Sequence, residues 1–314
     1  MENREDTQII PRSLFVFNMM MVISIISLVF IIYTKDSSPE ITKADQGSTT
    51  TEPVFKDVSI TAKSAYVYDI YNKKVLYKKN EFEQLPLASI TKLMMAVTAV
   101  ELFPKETEII VRSDFLKEEG DSGLVVNESW KLKDLLDFSL VVSSNDGARS
   151  VASVIGAFKL NTTDYDMGRK EFIRQMNIKS QNIGLKNTYF VNENGLDIEG
   201  TSGGYGSAID VANLLSYILQ NEPEILEATK FERIDVSSSS KNHTGKNTNK
   251  DVGEFPGIIA SKTGFTDMAG GNLALAFDAS MERPIVVVVL GSTEKDRFKD
   301  VKTLVDASIE YINK

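Results

Sequence analysis

The sequence contains no cysteine and only one histidine among its 314 residues. Without cysteine the chain has no thiol nucleophile, no disulfide, no cysteine-ligated zinc and no lipidated N-terminal cysteine. One histidine cannot form a multi-histidine metal site, and we expect neither a metal ion nor a cofactor. That residue, His243, lies in the polar run SSSSKNHTGKNTNK, which we interpret as an exposed loop. A loop would not hold His243 firmly enough for a Ser-His-Asp triad, so a hydrolase built from this chain would need another base.

Basic residues are too few for a nucleic-acid-binding surface. The chain has 35 Lys and Arg against 44 Asp and Glu, which gives a net charge of −9, and no long basic run occurs. Because nucleic-acid-binding proteins concentrate positive charge, we expect no nucleic acid partner. With 42% apolar residues, a chain of this length can bury the core of one large domain or of two small ones.

Residues 14–33 form an uncharged apolar stretch, LFVFNMMMVISIISLVFIIY. As a helix it would span about 30 Å, the thickness of the hydrocarbon core of a bilayer. A buried core helix would show a polar face, and a cleavable signal peptide is usually shorter and ends in small residues. We therefore predict an uncleaved transmembrane signal anchor after a short cytoplasmic tail, residues 1–13. Basic residues flank the span on both sides and leave its orientation undecided.

Residues 34–57 are rich in Ser, Thr, Pro and charge and lack apolar periodicity, which is typical of a flexible linker. The folded domain is then predicted over residues 58–314. It begins with a β-hairpin around Asn72 and Lys73. Apolar periodicity predicts helices and strand-like runs after it. The predicted helices cover residues 89–103, 130–142, 146–155, 166–184, 207–220 and 298–312, and the predicted strands cover residues 257–266, 271–280 and 283–292.

The order of these elements predicts the fold class. Strands near both ends of the domain, with helices between them, indicate an α/β (α+β) domain in which N- and C-terminal segments share one sheet. The helices between the strands would form a separate helical lobe beside that sheet. No internal repeat is visible.

The stretch PLASITKLMMAV places a serine and a lysine at the start of an apolar helix. Residues three apart lie on one helix face, so the Lys92 ammonium can reach the Ser89 hydroxyl. A serine becomes a good nucleophile when a base accepts its proton, and a neutral lysine can be that base. Burial lowers the pKa of a lysine, and a second nearby cation lowers it further. The helix N-terminus would help to stabilise negative charge on an attacked carbonyl.

The S-x-x-K pattern alone is weak evidence, because it recurs at Ser238–Lys241 and at Ser292–Lys295. S-x-N recurs as well, at residues 180–182 and 240–242. The order and context of three motifs are more informative. SITK opens an apolar helix, SSN lies in a turn between helices, and SKTG lies on a predicted strand. Lys-Thr-Gly occurs once in the sequence.

The second and third motifs supply groups that the first one needs. Ser143 can relay a proton toward a leaving group, and Asn145 can hold a substrate amide. Lys262 can act as the second cation, which keeps Lys92 neutral and attracts an anionic substrate. Thr263 can hydrogen-bond a carboxylate. Gly264 leaves room for an extended peptide along the strand edge.

The segments PLASITKLMMA, VVSSNDGA and GIIASKTGFTDMAGGNLALA resemble the three motifs of the serine D-alanyl-D-alanine carboxypeptidases, the low-molecular-mass penicillin-binding proteins. The resemblance extends from residue 58 to the C-terminus. It implies a β-lactamase-like fold and an acyl-enzyme mechanism, with Ser89 as nucleophile and Lys92 as general base. The backbone N–H groups of Ser89 and Phe265 would form the oxyanion hole.

The same resemblance implies the partners of the protein. The substrates would be peptidoglycan stem peptides ending in D-Ala-D-Ala, and β-lactam antibiotics would act as inhibitors. The catalytic domain would then lie on the extracytoplasmic side of the cell membrane, which decides the orientation of the anchor. Two positions depart from the family pattern: Asn194 replaces a common histidine, and Gly206 replaces a usual serine.

Three alternatives remain open at the level of sequence. A β-lactamase on the same fold would need a deacylation base, and the Glu-x-x-Leu-Asn pattern of class A enzymes is absent. A transpeptidase would pass the acyl group to an amine, which residue types cannot distinguish from hydrolysis. A non-enzymatic wall-binding or β-lactam-sensing module would be expected to have lost catalytic residues, whereas all of them are present here.

Overall fold

The computed structural model describes residues 53–120 and 122–314. The predicted cytoplasmic tail, the membrane anchor at residues 14–33 and most of the predicted linker lie outside the described residues. None of the helices in the described part is long and apolar enough to cross a bilayer. The linker prediction ends too late, because Phe55 is buried and its ring packs 5.8 Å from that of Tyr77.

The strands of the described residues are mostly short, and three long ones lie near the C-terminus. They are numbered in chain order: β1 Ser64–Asp69, β2 Lys74–Lys79, β3 Leu85–Pro86, β4 Glu108–Ile110, β5 Ser129–Lys131, β6 Tyr189–Phe190, β7 Gly204–Gly206, β8 Arg233–Ser237, β9 Asn242–Lys246, β10 Ile258–Thr266, β11 Gly270–Asp278 and β12 Pro284–Ser292.

The α-helices fill the middle of the chain and close it. They are α1 Thr91–Leu102, α2 Leu132–Val141, α3 Asn145–Leu160, α4 Tyr165–Asn182, α5 Ala208–Asn221 and α6 Asp296–Ile312. Short 3₁₀ segments occur as well, at Pro53–Phe55, Ala88–Ile90, Pro223–Lys230 and Val252–Glu254.

The central sheet is antiparallel and runs in the order β10-β11-β12-β1-β2. The N-terminal hairpin therefore joins the three C-terminal strands, as the sequence pattern predicted. The sheet thereby joins segments that lie far apart in the sequence. Strand β10, which carries Lys-Thr-Gly, lies at one edge of this sheet.

Strand β12 shows why the sheet is buried on both faces. Its residues from Ile285 to Leu290 are all apolar and fully buried. Side chains of a strand alternate between faces. The odd-numbered residues pack with α6 in one core, and the even-numbered residues pack with the helices in the other. A continuous apolar run is therefore what this strand requires.

Helix α1 occupies the centre of the helical lobe, with every residue from Thr91 to Ala99 buried. It packs against α3 and α4 in the larger core. An amphipathic helix would expose one side, whereas α1 is surrounded and so carries apolar residues all round. The 3₁₀ turn Ala88–Ile90, which leads into α1, lies against β10, and this contact brings the first and third motifs together.

The polar run around His243 is not an exposed loop, and that prediction is wrong. Residues 233–237 and 242–246 pair as the antiparallel hairpin β8–β9. His243 on β9 is buried, and its Nε2 lies 2.9 Å from Glu128 Oε1. Its ring also packs on Trp130, with centroids 4.8 Å apart. Burial alternates along β9, so only every second residue faces the core. A strand of mostly polar residues can therefore form here.

Candidate active site

Ser89 lies in a tight 3₁₀ turn, Ala88–Ile90, that leads directly into α1. The preceding residue, Ala88, has a φ of +48°. Left-handed backbone costs a non-glycine residue about 1–3 kcal/mol, so neighbouring groups must hold it in place. Gly195 is one of them, because a Cβ there would lie 1.9 Å from the Ala88 carbonyl oxygen. Ser89, the middle residue of this turn, is partly exposed.

The Lys92 ammonium group makes three hydrogen bonds, all to uncharged acceptors. It donates to Ser89 Oγ at 2.9 Å, to Asn145 Oδ1 at 2.7 Å and to the backbone oxygen of Asn194 at 2.8 Å. The side chain is completely buried. Burial disfavours its charged form and lowers the pKa of Lys92 to about 7, even though the carboxylates of Glu193 and Glu118 act to raise it. The predicted contact between Lys92 and Ser89 is present.

Lys262 on β10 is the second buried lysine of the site. Its Nζ donates to Ser143 Oγ at 3.0 Å and to the backbone oxygen of Thr263 at 2.9 Å. Its pKa lies well below the usual value, first because of burial and then because of repulsion from Lys92 and Arg297. The sequence predicted that Lys262 would depress the pKa of Lys92. Because repulsion between two cations is mutual, it disfavours the protonated form of each lysine, and burial is the main cause of the lowered pKa at Lys92.

Ser143 and Asn145 come from the turn between α2 and α3. Ser143 has a φ of +62°, which turns its hydroxyl toward Lys262. Asn145 is the first residue of α3, and Ser144 caps that helix by accepting from the Gly147 N–H. The Asn145 amide bridges Lys92 and the Glu119 backbone oxygen, to which its Nδ2 donates at 2.6 Å. In this structure Asn145 therefore fixes the position of Lys92 Nζ.

The outer edge of β10 presents backbone groups beside Ser89. The Ser261 N–H points away from β11, because it donates to Thr229 Oγ1 at 3.2 Å. Backbone direction alternates along a strand, so the N–H groups of Thr263 and Phe265 point outward as well. An outward Phe265 N–H suits the predicted oxyanion hole and pairing with an extended peptide. The Thr263 hydroxyl is also held here, by Thr248 Oγ1 at 2.7 Å.

Gly264 has a different reason to be glycine from the one predicted. A Cβ at this position would lie 2.8 Å from the Leu87 backbone oxygen and 3.2 Å from the Ala88 Cβ. The missing side chain therefore lets β10 approach the turn that carries Ser89. The room is used by the protein itself, and it sets the distance between the first and third motifs.

The other S-x-x-K patterns do not form such a site. At the first, Ser238 Oγ bonds the backbone of Lys241 within the exposed tip of the β8–β9 hairpin. At the second, Ser292 Oγ donates to Asp300 Oδ2, and Lys295 is exposed. Neither lysine side chain meets the serine of its own motif.

Sequence reasoning missed several groups that surround Lys92. The Asn194 backbone oxygen accepts from Lys92, and the carboxylates of Glu118 and Glu193 lie behind it. Arg297 was missed as well, and it donates to the Gly264 backbone oxygen at 2.7 Å. The buried position of Glu193 in the run VNENGLD has no sequence signature that we recognise. In the described residues, no group of three or more acidic or histidine side chains is arranged to hold a metal ion.

Comparison with known proteins now identifies the family. A model of the peptidase S11 family, D-alanyl-D-alanine carboxypeptidase, matches residues 47–294. The chain belongs to this family. The resemblance predicted from the three motifs is thereby confirmed, and the D-alanyl-D-alanine carboxypeptidase match covers both the helical lobe and the C-terminal strands.

Individual relatives agree with the family assignment. The D-alanyl-D-alanine carboxypeptidase DacF of Bacillus subtilis is 30% identical over 251 residues, which are 78% of this chain and 61% of that protein. The D-alanyl-D-alanine endopeptidase of Escherichia coli is 28% identical over 90% of this chain and 86% of that protein. Penicillin-binding protein D2 from Listeria monocytogenes, solved with cefotaxime bound, has a TM-score of 0.68 at 26% identity and covers 80% of this chain and 98% of that chain.

Proposed function

We propose that this protein is a membrane-anchored serine D-Ala-D-Ala carboxypeptidase that removes the terminal D-alanine from peptidoglycan stem peptides. The observation that carries the proposal is the hydrogen bond between Lys92 Nζ and Ser89 Oγ, in a buried setting that brings the pKa of Lys92 to about 7. About half of the lysines with this pKa are neutral at pH 7 and can accept a proton, as activation of a serine requires.

Acylation follows from the positions of these groups. Neutral Lys92 takes the proton of Ser89 as Oγ attacks the carbonyl carbon of the penultimate D-alanine. The backbone N–H groups of Ser89 and Phe265 stabilise the oxyanion. The proton reaches the departing nitrogen through the Ser143 hydroxyl, the C–N bond breaks, and D-alanine leaves. Lys262 Nζ lies 3.0 Å from Ser143 Oγ, and a substrate carboxylate bound beside Lys262 and Thr263 would favour the protonated form of Lys262 and pair with it.

Deacylation uses the same base. Water attacks the ester carbonyl and gives a proton to Lys92, after which the ester C–O bond breaks and the proton returns to Ser89 Oγ. A β-lactam would be attacked in the same way, and its ring-opened acyl group would stay on Ser89 longer because the expelled nitrogen remains covalently attached to it and obstructs the hydrolytic water. The cefotaxime-bound Listeria relative supports this part of the proposal.

The proposed location is the cell membrane, with a single span and the catalytic domain on the extracytoplasmic side. Support comes from the uncharged stretch of residues 14–33 and from the chemistry, because peptidoglycan lies outside the cytoplasmic membrane.

Cleavage of crosslinked stem peptides is the second candidate activity. It is favoured by the match to the Escherichia coli endopeptidase, which covers 86% of that protein. The chemistry at Ser89 would be the same, and only the size of the leaving group would differ. Separate assays with a linear pentapeptide and with a crosslinked dimer distinguish the two activities.

The decisive experiment follows the intact mass of the full chain, solubilised in detergent, after mixing with benzylpenicillin. We expect a long-lived adduct that maps to Ser89, and release of D-alanine from a pentapeptide by the untreated enzyme. Ser89→Ala should abolish both. An adduct that disappears within seconds while penicillin is consumed would indicate a β-lactamase, and the absence of both adduct and D-alanine release would refute the acyl-enzyme proposal.

A further inference from the structure

Glu193 is a fully buried carboxylate that the mechanism above does not use. Its Oε2 accepts a hydrogen bond from Arg169 Nε at 2.8 Å, whereas its Oε1 is buried without a hydrogen-bond partner among the described residues. Leaving a buried acceptor unpaired costs free energy, so a fold tolerates it only where surrounding structure or function compensates. Glu193 directly precedes Asn194, whose backbone oxygen accepts from Lys92.

Glu118 reaches the same place from another part of the chain. Its Oε2 accepts from Asn194 Nδ2 at 3.1 Å, and its Oε1 lies 3.9 Å from Arg169 Nη2. Arg169, on helix α4, therefore lies between two carboxylates. We call Glu118, Arg169 and Glu193 the acidic clamp. Within the clamp, Glu118 binds the side chain of Asn194, and Glu193 is the residue that precedes Asn194 in the chain. The formal net charge of the clamp is −1.

Lys92 needs such a charge nearby. Its three hydrogen-bond acceptors are uncharged, and the second lysine, Lys262, faces it from β10. Burial and repulsion together would weaken Lys92 as a base, because a buried amine that cannot hold a proton accepts one poorly from serine. The negative clamp opposes both effects without forming a direct ion pair that would keep Lys92 permanently protonated. Asp146 on α3 fixes the position of the Glu118 segment by accepting from the Glu118 N–H.

We propose that Glu193, held by Arg169 and assisted by Glu118, is a positioning residue that sets the proton affinity of Lys92 and fixes the Asn194 carbonyl against it. This inference rests on the proposed function, since it assigns Lys92 the role of general base. The clamp touches no reacting atom. It acts through Lys92, and its removal should therefore change the pH dependence of acylation as well as its rate.

The test measures the second-order rate of acylation by benzylpenicillin between pH 5 and pH 9, using the full chain in detergent. Acylation requires neutral Lys92, so the rate should fall on the acid side of the Lys92 pKa. In Glu193→Gln the ammonium loses a stabilising negative charge, and the acid limb should move to lower pH by about one unit. The rate on the plateau should fall severalfold because the base is weaker.

Two further variants and a control make the result specific. Glu118→Gln, at the edge of the clamp, should shift the limb in the same direction by a smaller amount and serves if Glu193→Gln fails to fold. Glu193→Asp keeps the charge and should restore the limb toward its wild-type position. Glu199→Gln removes the same charge from an exposed position on the same loop and should leave the profile unchanged.

Each outcome separates this inference from the proposed function. If wild type is acylated and the acid limb of both glutamine variants coincides with it, the clamp does not set the proton affinity of Lys92 and the inference is wrong. A uniform loss of rate at every pH would assign Glu193 a purely structural role and would also overturn it. If wild type is not acylated at any pH and releases no D-alanine, the proposed function itself fails.

Discussion

Lys92 and His243 are two buried basic side chains with opposite surroundings. Lys92 donates to a hydroxyl, an amide oxygen and a backbone oxygen, and no carboxylate touches it. His243 lies directly against the carboxylate of Glu128, which also accepts from Trp130 Nε1 at 3.2 Å and from the Val125 N–H at 3.2 Å. Lys92 is therefore placed for the proton exchange with Ser89 that the proposed function requires, whereas His243 joins the β8–β9 hairpin to the core.

The difference shows what makes a buried base reactive. The acceptors that orient Lys92 are uncharged and do not compensate the charge of its ammonium group. Burial therefore lowers the pKa of Lys92 to about 7. His243, by contrast, has the carboxylate of Glu128 as a direct hydrogen-bond partner, and both side chains are buried. Burial is common to both residues, and the identity of the partner decides between chemistry and structure. Three substitutions test this comparison.

Replacement of the base should have the largest effect. Lys92→Met keeps the bulk but removes the proton acceptor, so the rate of acylation by benzylpenicillin should fall about 10²–10⁴-fold. Stability should change little, because lost hydrogen bonds are offset by removal of a buried ionisable group. Intact-mass kinetics and thermal melting measure the two properties. Lys295→Met, in the exposed S-x-x-K pattern, is the matched control and should behave as wild type.

An acylation rate in Lys92→Met equal to that of wild type would show that Lys92 is not the base. The different partners of Lys92 and His243 would then not explain which of the two side chains is reactive.

Crowding of the Ser89 turn should have an intermediate effect on both properties. In Gly264→Ala the new Cβ would lie 2.8 Å from the Leu87 backbone oxygen, closer than van der Waals contact permits. We expect a loss of about 1–3 kcal/mol in the free energy of unfolding and a roughly 10–100-fold slower acylation, because the turn that carries Ser89 must move. Urea unfolding and acylation kinetics provide the measurements.

Gly184→Ala separates crowding from backbone strain. Gly184 has a φ of +76°, but a Cβ there meets no atom within 4 Å. This variant should lose stability without slowing acylation. If Gly264→Ala acylates at the wild-type rate, close approach of β10 is not what positions Ser89.

Disruption of the contact between His243 and Glu128 should change the rate of acylation least. Glu128→Ala removes the acceptor of His243, Trp130 and the Val125 N–H, and we expect the free energy of unfolding to fall by about 2–4 kcal/mol. Below the melting temperature, acylation should stay within about twofold of wild type. Urea unfolding and acylation of the same sample measure both. Glu106→Ala, which breaks the exposed contact with Lys131, should leave the melting temperature unchanged within about 1 °C.

A large loss of acylation in folded Glu128→Ala would contradict the comparison, because it would make the His243 region part of the catalytic apparatus.

The fold could be predicted wherever the local pattern and the final environment agreed. The hairpin β1–β2, the buried strand β12 and the central helix α1 have apolar patterns that match their burial. The β8–β9 hairpin could not be predicted in the same way, since its residues are polar and only the side chains facing the core are buried. The start of the packed chain was also missed, because burial of Phe55 depends on Tyr77, far along the sequence.

By itself, the sequence determined the candidate reactive groups: a serine and a lysine three residues apart, followed in order by Ser143, Asn145 and the Lys-Thr-Gly strand. Only the tertiary structure decided how these groups are tuned. It buried Lys92 and Lys262 in one site, brought β10 against the Ser89 turn at Gly264, and set Glu118 and Glu193 beside Asn194. The reason is that a pKa and a contact distance depend on burial and on charges from distant segments, which meet only when the chain folds.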